Sequence, residues 1–181
     1  MHNLRFATVA VRDFKVGALT VSTKYVVRRV ARTLSQRHRF IVEFGAGDGI
    51  LTKTLLKRLP EGGRITAIER NDRFYAELRR IRDPRLRAIK GDAIAMSRDP
   101  TSFRLPAIDA VVSSIPLSFF PSEWREELVS NAREALAPGG VLVVYQYTPL
   151  ILPLLKKYFE RVTVGFEPRN ILPYFIMRGE K

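Results

Sequence analysis

The sequence predicts an α/β fold in which helices pack on a mostly parallel sheet. From residue 40 onward, short apolar runs alternate with amphipathic segments, which is the pattern of successive strand–helix–strand units. With 181 residues, of which 46% are hydrophobic, the chain can build one sizeable core. We therefore expect a single domain that spans residues 1–181.

Five apolar runs are the predicted parallel strands: Phe40–Phe44, Arg64–Glu69, Leu86–Lys90, 108–113 and Val141–Gln146. The segments between them that have helical spacing are 48–59, 72–81 and 123–136. Ser122 is the predicted N-cap of the last helix. The tail differs, because residues 158–167 and 171–178 are extended runs joined by a turn at 168–170. This pattern predicts an antiparallel hairpin that closes the sheet edge.

Positive charge is concentrated near the N-terminus. The chain has 31 basic and 18 acidic residues, a net charge of +13, and residues 1–39 hold nine basic residues against one acidic residue. Because residues 23–36 also have amphipathic spacing, we expect 1–39 to form a basic helical extension. Such a face is either solvated or binds an anionic partner. A membrane surface and a nucleic acid share this electrostatic signature.

The residue inventory excludes several kinds of chemistry. The chain has no cysteine, so disulfides, thiolate metal sites and cysteine nucleophiles are excluded. His2 and His38 are the only histidines, which excludes a cluster of several histidines around a metal, and no metal is expected. The longest apolar run, 141–155, is broken by polar residues and prolines and is too short to cross a bilayer.

A glycine-rich turn follows the first predicted strand. In Glu43-Phe44-Gly45-Ala46-Gly47-Asp48-Gly49, glycines allow a tight turn and close approach of a ligand, and the next helix presents its N-terminal amides. The turn lacks the G-x-G-x-x-G register of dinucleotide loops, and no Gly-Lys-Ser/Thr follows it. A plain strand-to-helix turn and a small-molecule site both remain open.

Acidic residues end the next two predicted strands. Glu69 lies 20 residues after Gly49, where its carboxylate can accept hydrogen bonds from both hydroxyls of a ribose, and Asp92 follows the third strand. Ligands of open α/β sheets bind at the carboxyl edge. Three such features at successive strand ends therefore predict one ligand site.

These motifs resemble the cofactor motifs of class I S-adenosylmethionine-dependent methyltransferases over residues 40–146. The resemblance implies a Rossmann-like, seven-stranded, mostly parallel sheet with a C-terminal antiparallel hairpin, and S-adenosylmethionine as cofactor. It also implies that the turn from Gly45 to Gly47 passes beneath the methionine portion and that Glu43 orders its amino end. By the same resemblance, Glu69 holds the ribose, and Asp92 with Ala93 reads the adenine edge.

The end of the fourth strand bears on the substrate. Enzymes that methylate exocyclic base nitrogens carry Asn/Asp/Ser-x-Pro-aromatic there, whereas this chain has Ser114-Ile115-Pro116-Leu117. Leucine cannot stack on a base, and such stacking contributes about 1–3 kcal/mol. Phe119 or Phe120 could substitute.

The segment 111–121 instead resembles the bacterial phospholipid N-methyltransferases, which are related to the rRNA adenine dimethylase-like group. The segment 16–23 resembles that family's region before the first strand, with Val21 where a proline is usual. The segment 169–173 resembles its R-x-N-L-P-P ending, with Tyr174 in place of the second proline. The cofactor-binding candidates are Gly17, Leu19, Glu43, Gly45, Ala46, Gly47, Glu69, Arg70, Asp92, Ala93 and Ser113.

Three side chains are candidates for the catalytic site. Tyr147, just past strand five, is expected to contact the amine and to stabilise methylated ammonium products by cation–π attraction. Tyr25 and Ser114 are the other two candidates, and half-buried packing is the alternative role of both tyrosines. Arg169 is a candidate partner for a phosphate.

We therefore expect an N-methyltransferase acting on the amino headgroup of phosphatidylethanolamine and its methylated products. It would be cytoplasmic and bound peripherally to the inner face of the membrane, with the basic N-terminus, including residues 3–16, on the anionic surface. The alternatives are an RNA adenine N6-methyltransferase, another small-molecule N-methyltransferase, and a cofactor-binding protein that has lost catalysis.

Overall fold

A computed structural model describes residues 22–170 and 172–181. The predictions for Gly17, Leu19 and residues 3–16 lie outside the described residues.

Seven strands form one mixed sheet in the order β3-β2-β1-β4-β5-β7-β6. They are β1 (Phe40–Phe44), β2 (Arg64–Glu69), β3 (Leu86–Lys90), β4 (Ala110–Ser113), β5 (Val141–Gln146), β6 (Arg161–Glu167) and β7 (Tyr174–Glu180). The first five run parallel, and β7 lies antiparallel between β5 and β6. The predicted parallel sheet with a closing hairpin is confirmed. Since β6 is parallel to β5, the turn after β6 lies at the carboxyl edge of the sheet.

Helices cover both faces of the sheet. They are α1 (Lys24–Arg32), α2 (Ile50–Leu56), α3 (Asp72–Leu78), α4 (Ala93–Ser97), α5 (Ser122–Ala135) and α6 (Leu152–Tyr158), with 3₁₀ turns at Pro100–Phe103 and Leu117–Phe119. One core packs α1, α2 and α3 on the sheet through residues such as Val30 and Leu55. The other packs α4, α5 and α6 through residues such as Leu128 and Leu155. Each core covers one face of the sheet.

Four of the five predicted parallel strands have the bounds that the sequence predicts, and the other elements need corrections at one or both ends. The strand predicted at 108–113 begins at Ala110, and the extended run predicted at 171–178 is β7, Tyr174–Glu180. The helix predicted at 23–36 ends at Arg32, and α2 and α3 are shorter than the predicted 48–59 and 72–81 by two or three residues at the ends that differ. The helix predicted at 123–136 is shifted by one residue toward the N-terminus. Ser122 is not the N-cap of α5 but its first residue. Pro121 occupies the cap position with extended backbone, and the Ser122 hydroxyl donates to Glu123 instead.

Tyr158, predicted to begin an extended run, is the last residue of α6. Pro153 obscured this helix in the sequence, yet proline fits the first turn of a helix, where no backbone donor is needed. Within the described ranges, no helix combines the length and the hydropathy needed to cross a membrane.

Candidate functional site

The carboxyl ends of β1 to β5 meet at one edge of the sheet, because these strands run parallel. The glycine turn leaves β1, Glu69 ends β2, Asp92 follows β3, Ser113 ends β4 and Tyr147 follows β5. The fold therefore brings the predicted cofactor residues of the described ranges together in space. Gly17 and Leu19 are the two outside those ranges.

The glycine turn is held against β2 and borders open space. The backbone N–H groups of Gly45 and Ala46 both donate to the Ile68 carbonyl, at 2.9 and 3.1 Å. Gly47 has φ +58°, and a Cβ placed on it would meet no atom within 4 Å. Gly49 has φ +79°, but a Cβ there would lie 2.6 Å from Ile81 Cδ1. Gly47 thus faces the side from which a ligand can approach, whereas Gly49 faces the core.

Glu69 is buried and joins the turn to the start of α3. Its Oε2 accepts a hydrogen bond from the Gly47 N–H at 2.9 Å, and its Oε1 accepts one from the Asn71 N–H at 2.8 Å. Each carboxylate oxygen has two lone pairs, so each retains one acceptor position. The side chain is thus fixed in place and can still accept from two hydroxyls of a ribose.

Asp92 and Arg70 stand at the neighbouring strand ends. Asp92 is the N-cap of α4, where its Oδ1 accepts from the Ala95 N–H at 3.0 Å, and Ala93 begins that helix as a buried residue. The other oxygen, Oδ2, lies 3.9 Å from the Arg70 guanidinium, and both side chains are about one-third exposed. Asp92 Oδ2 is therefore accessible to an amine donor such as the adenine amino group.

Glu43 is buried beneath the turn, with 2% of its surface exposed. Thr52 donates a hydrogen bond to its Oε2 at 2.6 Å. Burial raises the pKa of Glu43 to about 8, and the charges of Glu69 and Asp48 add to this effect, while the Thr52 hydrogen bond opposes it. The carboxyl group therefore carries its proton over much of the neutral range and ionises readily beside a cation.

The serines at the end of β4 face opposite sides of the sheet. Ser114 donates its backbone N–H to the Phe44 carbonyl at 3.1 Å and its hydroxyl to the Gly45 carbonyl at 2.5 Å. This pair of bonds fastens the end of β4 to the glycine turn. Ser113 is fully buried, and its Oγ accepts a long hydrogen bond of 3.4 Å from the Ile115 N–H. Ser114 therefore has a structural role, because it holds the glycine turn in place.

Tyr147 lies beside the 3₁₀ turn that follows β4. Its hydroxyl is 2.8 Å from the Ser118 hydroxyl, and its ring centroid is 6.3 Å from that of the half-buried Phe119. Leu117 is fully buried in the core, so it does not face the ligand side of the turn. The edge beside Ser114 thus presents two aromatic rings and a pair of hydroxyls.

Tyr25, the remaining catalytic candidate, lies on α1 and faces another group of residues. The Arg169 guanidinium stacks over its ring at 4.4 Å, and the Lys24 ammonium lies 5.4 Å from the ring centroid. Its ring is partly exposed and lines a pocket with arginines of α1. The structure thus groups Tyr25 with these cations rather than with Tyr147 and Ser118.

Sequence reasoning missed several polar residues of the site. Thr52, Asn71 and Ser118 contact predicted site residues, but each is a common residue of a helix start or turn, with no distinctive motif. The sequence pattern predicts that Tyr145 is a core residue of a buried strand. Its hydroxyl, however, is within hydrogen-bonding reach of Ser114 and Ser22. Burial, together with the charge of Glu43, raises the pKa of Tyr145, so its hydroxyl keeps its proton.

The arrangement fits S-adenosylmethionine. It offers open space at a glycine turn, a fixed double acceptor at Glu69, an accessible carboxylate oxygen at Asp92 and a buried carboxyl group at Glu43. Within the residues that the structure describes, no group of three or more histidine, aspartate or glutamate side chains is placed to hold a metal ion. The edge can bind a nucleoside and hold an acceptor beside it.

Comparisons with known proteins agree with this geometry. The family model described as a methyltransferase domain matches residues 41–140. An ornithine lipid N-methyltransferase from Singulisphaera acidiphila is 28% identical over 172 residues, which cover 92% of this chain and 90% of that protein.

Two solved structures have a similar fold. The precorrin-6y C5,15-methyltransferase of Geobacter metallireducens superposes with a TM-score of 0.70 at 19% identity and covers 91% of this chain and 96% of its own. The N-methyltransferase NodS of Bradyrhizobium japonicum in complex with S-adenosyl-L-homocysteine has a TM-score of 0.66 at 15% identity, with coverage of 88% and 89%.

Proposed function

We propose that this chain, an S-adenosylmethionine-dependent N-methyltransferase that belongs to the methyltransferase-domain family, acts on the amine of a lipid headgroup. Phosphatidylethanolamine and its methylated products are the proposed substrates. The observation that carries the proposal is the cluster of Tyr147, Ser118 and Phe119 at the same edge of the sheet as the glycine turn, which suits a small amine.

The cofactor, when bound, supplies an electrophilic methyl group on a sulfonium. The residues of this chain bind and orient it. Glu69 would accept from the ribose hydroxyls, Asp92 would accept from the adenine amino group, and the carboxyl group of Glu43 would pair with the methionine ammonium. Each of these side chains is held by a neighbour before binding, which lowers the cost of ordering the site.

Methyl transfer needs a neutral amine, so the acceptor ammonium must first lose a proton. Positioning and desolvation then account for most of the rate, since the reaction is an in-line displacement. The paired hydroxyls of Tyr147 and Ser118 can hold the amine by hydrogen bonds, and the proton leaves to water or to the phosphate of the headgroup. The rings of Tyr147 and Phe119 favour the methylated, cationic product by cation–π attraction.

Two observations support a lipid as the methyl acceptor. The Singulisphaera relative that matches 92% of this chain is an ornithine lipid N-methyltransferase. Leu117, which stands where base methyltransferases carry a stacking ring, is fully buried. Docking of residues 1–39 on an anionic membrane is part of the proposal, although residues 1–21 lie outside those that the structure describes.

An RNA base is the second candidate acceptor, and one observation favours it. Phe119 lies at the same edge as Tyr147, half-buried, and its ring could stack on a base in place of Leu117.

Expression of the chain in cells that lack methylated ethanolamine lipids tests the proposal. Thin-layer analysis of the extracted lipids should reveal monomethylated or further methylated phosphatidylethanolamine. A Glu69→Ala variant, which loses the ribose acceptor, is the matched control and should yield much less. An unchanged lipid pattern with the wild-type chain, in cells where the protein accumulates, would refute the lipid assignment.

A further inference from the structure

A pocket of about 180 Å³ lies between α1 and the turn that follows β6. Its lining residues are Tyr25, Arg28, Arg29, Arg32, Glu167 and Arg169. We propose that this pocket, hereafter the arginine pocket, binds the phosphate of an anionic phospholipid and so docks the carboxyl edge of the sheet on a bilayer. The inference rests on the proposed function for its choice of a bilayer as the source of the phosphate.

The charge of the arginine pocket is uncompensated. Its four arginines face one acid, Glu167, which leaves a net charge of +3. Arg169 donates two hydrogen bonds to the Glu167 carboxylate, at 2.7 and 2.9 Å. The Arg29 guanidinium lies 3.7 Å from Oε2 of the same carboxylate. Arg28 and Arg32, four residues apart on the same exposed face of α1, have no carboxylate partner among the described residues. Their guanidinium groups are therefore available to an external anion.

The other two arginines are fixed before any ligand arrives. Glu167 is fully buried, and Arg169 holds the pKa of that carboxyl group at about 2, so its charge persists at neutral pH. Tyr25 packs under the Arg169 guanidinium. Arg29 packs along β6, since its Nε lies 3.4 Å from the position that a Cβ on Gly165 would occupy. Planar guanidinium groups held in this way are well suited to phosphate oxygens.

The arginine pocket lies next to the edge that carries the methyl-transfer site. Thr23, just before α1, donates its backbone N–H to Asn170 Oδ1 at 3.0 Å and its hydroxyl to the Arg169 carbonyl at 2.9 Å. These bonds tie the start of α1 to the turn after β6. Because β6 is parallel to β5, that turn shares the carboxyl edge with Tyr147. A headgroup bound in the pocket would place the membrane on the side from which the acceptor reaches Tyr147.

The surroundings favour a bilayer over RNA. Leu172 and Phe166, on either side of the turn, and Leu150, after β5, are 39%, 48% and 44% exposed. The two leucines can enter the interfacial region of a membrane but cannot stack on bases, whereas the Phe166 ring, which packs against Phe175, suits either partner. An arginine cluster beside exposed aliphatic side chains therefore matches an anionic lipid surface.

The test is sedimentation of the full chain with phosphatidylcholine vesicles, with and without phosphatidylglycerol. The variant Arg28→Gln/Arg32→Gln removes the two unpaired charges and leaves the Glu167 pairs intact. The matched control, Lys57→Gln/Arg58→Gln, removes the same charge from exposed residues after α2, at the opposite edge of the sheet. Calorimetric affinity for S-adenosylmethionine, which should be unchanged in both variants, verifies their folding.

We expect the pocket variant to bind phosphatidylglycerol vesicles about 10-fold or more weakly, and the control to change by less than about 2-fold, since only charges near the leaflet contribute. Inorganic phosphate should release the wild-type protein from vesicles more effectively than chloride at equal ionic strength. Equal losses in the two variants would overturn the proposal, as would loss of RNA binding in the pocket variant with vesicle binding intact. Because the experiment measures vesicle binding and not methyl transfer, its result does not depend on whether the chain methylates a lipid.

Discussion

The Glu69 carboxylate accepts a hydrogen bond from the backbone N–H of Gly47 at 2.9 Å, across 22 positions of sequence. The same carboxylate accepts from Asn71, whose side chain caps α3 through the Arg73 and Phe74 amides. One side chain therefore sets both the position of the glycine turn and the acceptor for the ribose. Loss of Glu69 is expected to act on cofactor binding in two ways, through the lost acceptor and through a less ordered turn.

The variant Glu69→Ala should bind S-adenosylmethionine about 10- to 150-fold more weakly, because charged hydrogen bonds contribute about 1.5–3 kcal/mol. Glu69→Gln keeps the shape of the side chain and one acceptor oxygen, so its loss should be intermediate. Isothermal calorimetry measures both affinities. Affinity in Glu69→Ala equal to that of the wild type would contradict the assignment of Glu69 to the cofactor.

The variants Gly47→Ala and Gly49→Ala should separate binding from stability. Both residues have positive φ, which costs an alanine about 1–2 kcal/mol. At Gly47 the new methyl group meets no protein atom and enters the ligand space, so cofactor affinity should fall with little further loss of stability. At Gly49 it overlaps Ile81, so denaturation should show a total loss of about 2–4 kcal/mol. Equal effects of the two variants on cofactor affinity would argue against the site.

Glu43 should make the cofactor-free protein less stable as the pH rises. Its pKa is about 8 in the folded protein and 4.5 ordinarily, so the folded state holds a proton that the unfolded state releases. This contribution to stability is fully present below pH 4.5, is lost between pH 4.5 and about 8, and is constant above that. The maximal slope is about 1.4 kcal/mol per pH unit.

The variant Glu43→Gln, which stays neutral, should remove that slope. Urea denaturation of both proteins across this range gives the difference, and Glu43→Gln should be the more stable protein at alkaline pH. If the wild type instead became increasingly more stable than Glu43→Gln as the pH rises, Glu43 would be ionised in the folded protein.

Substitutions of Tyr147 should distinguish the hydroxyl from the ring. If the hydroxyl holds the amine, Tyr147→Phe lowers kcat, and Ser118→Ala, which removes the partner hydroxyl, lowers it too. Tyr147→Ala also loses the cation–π contribution of about 0.5–2 kcal/mol, so the later methylations of the product should suffer most. Tyr158→Phe is the matched control, because that hydroxyl bonds Glu126 on the surface of α5. A loss in Tyr158→Phe equal to that in Tyr147→Phe would point to a general effect on the fold.

The carboxyl-edge site was predictable because its residues follow strands that are clear in sequence. Glu43, Glu69 and Asp92 occupy strand ends, and the parallel order of those strands brings them together without any long-range information. The short helix α6 was missed, since a run of seven residues that includes Pro153 carries little periodic signal. The cap at Pro121 was missed because serine is the better N-cap by composition alone.

The arginine pocket was not predictable as a unit. Arg28, Arg29 and Arg32 were expected as a basic helix face, and Arg169 as a separate candidate for a phosphate. Contacts between distant parts of the chain bring the two together: those of Thr23 with residues 169 and 170, the Arg29–Glu167 ion pair and the packing of Arg169 on Tyr25. The burial of Glu167 beside Arg169 likewise depends on the order β5-β7-β6, which local sequence patterns do not encode.

Methyl transfer to defined acceptors tests the account most directly. Purified full chain is incubated with methyl-labelled S-adenosylmethionine and, in separate reactions, phosphatidylethanolamine vesicles, phosphatidylcholine vesicles and unmodified RNA. Label should appear in the ethanolamine lipid and in neither of the others, because phosphatidylcholine has no free amine and Leu117 offers no base platform. Label in the RNA, with the ethanolamine vesicles unlabelled, would contradict the proposal that the acceptor is a lipid amine.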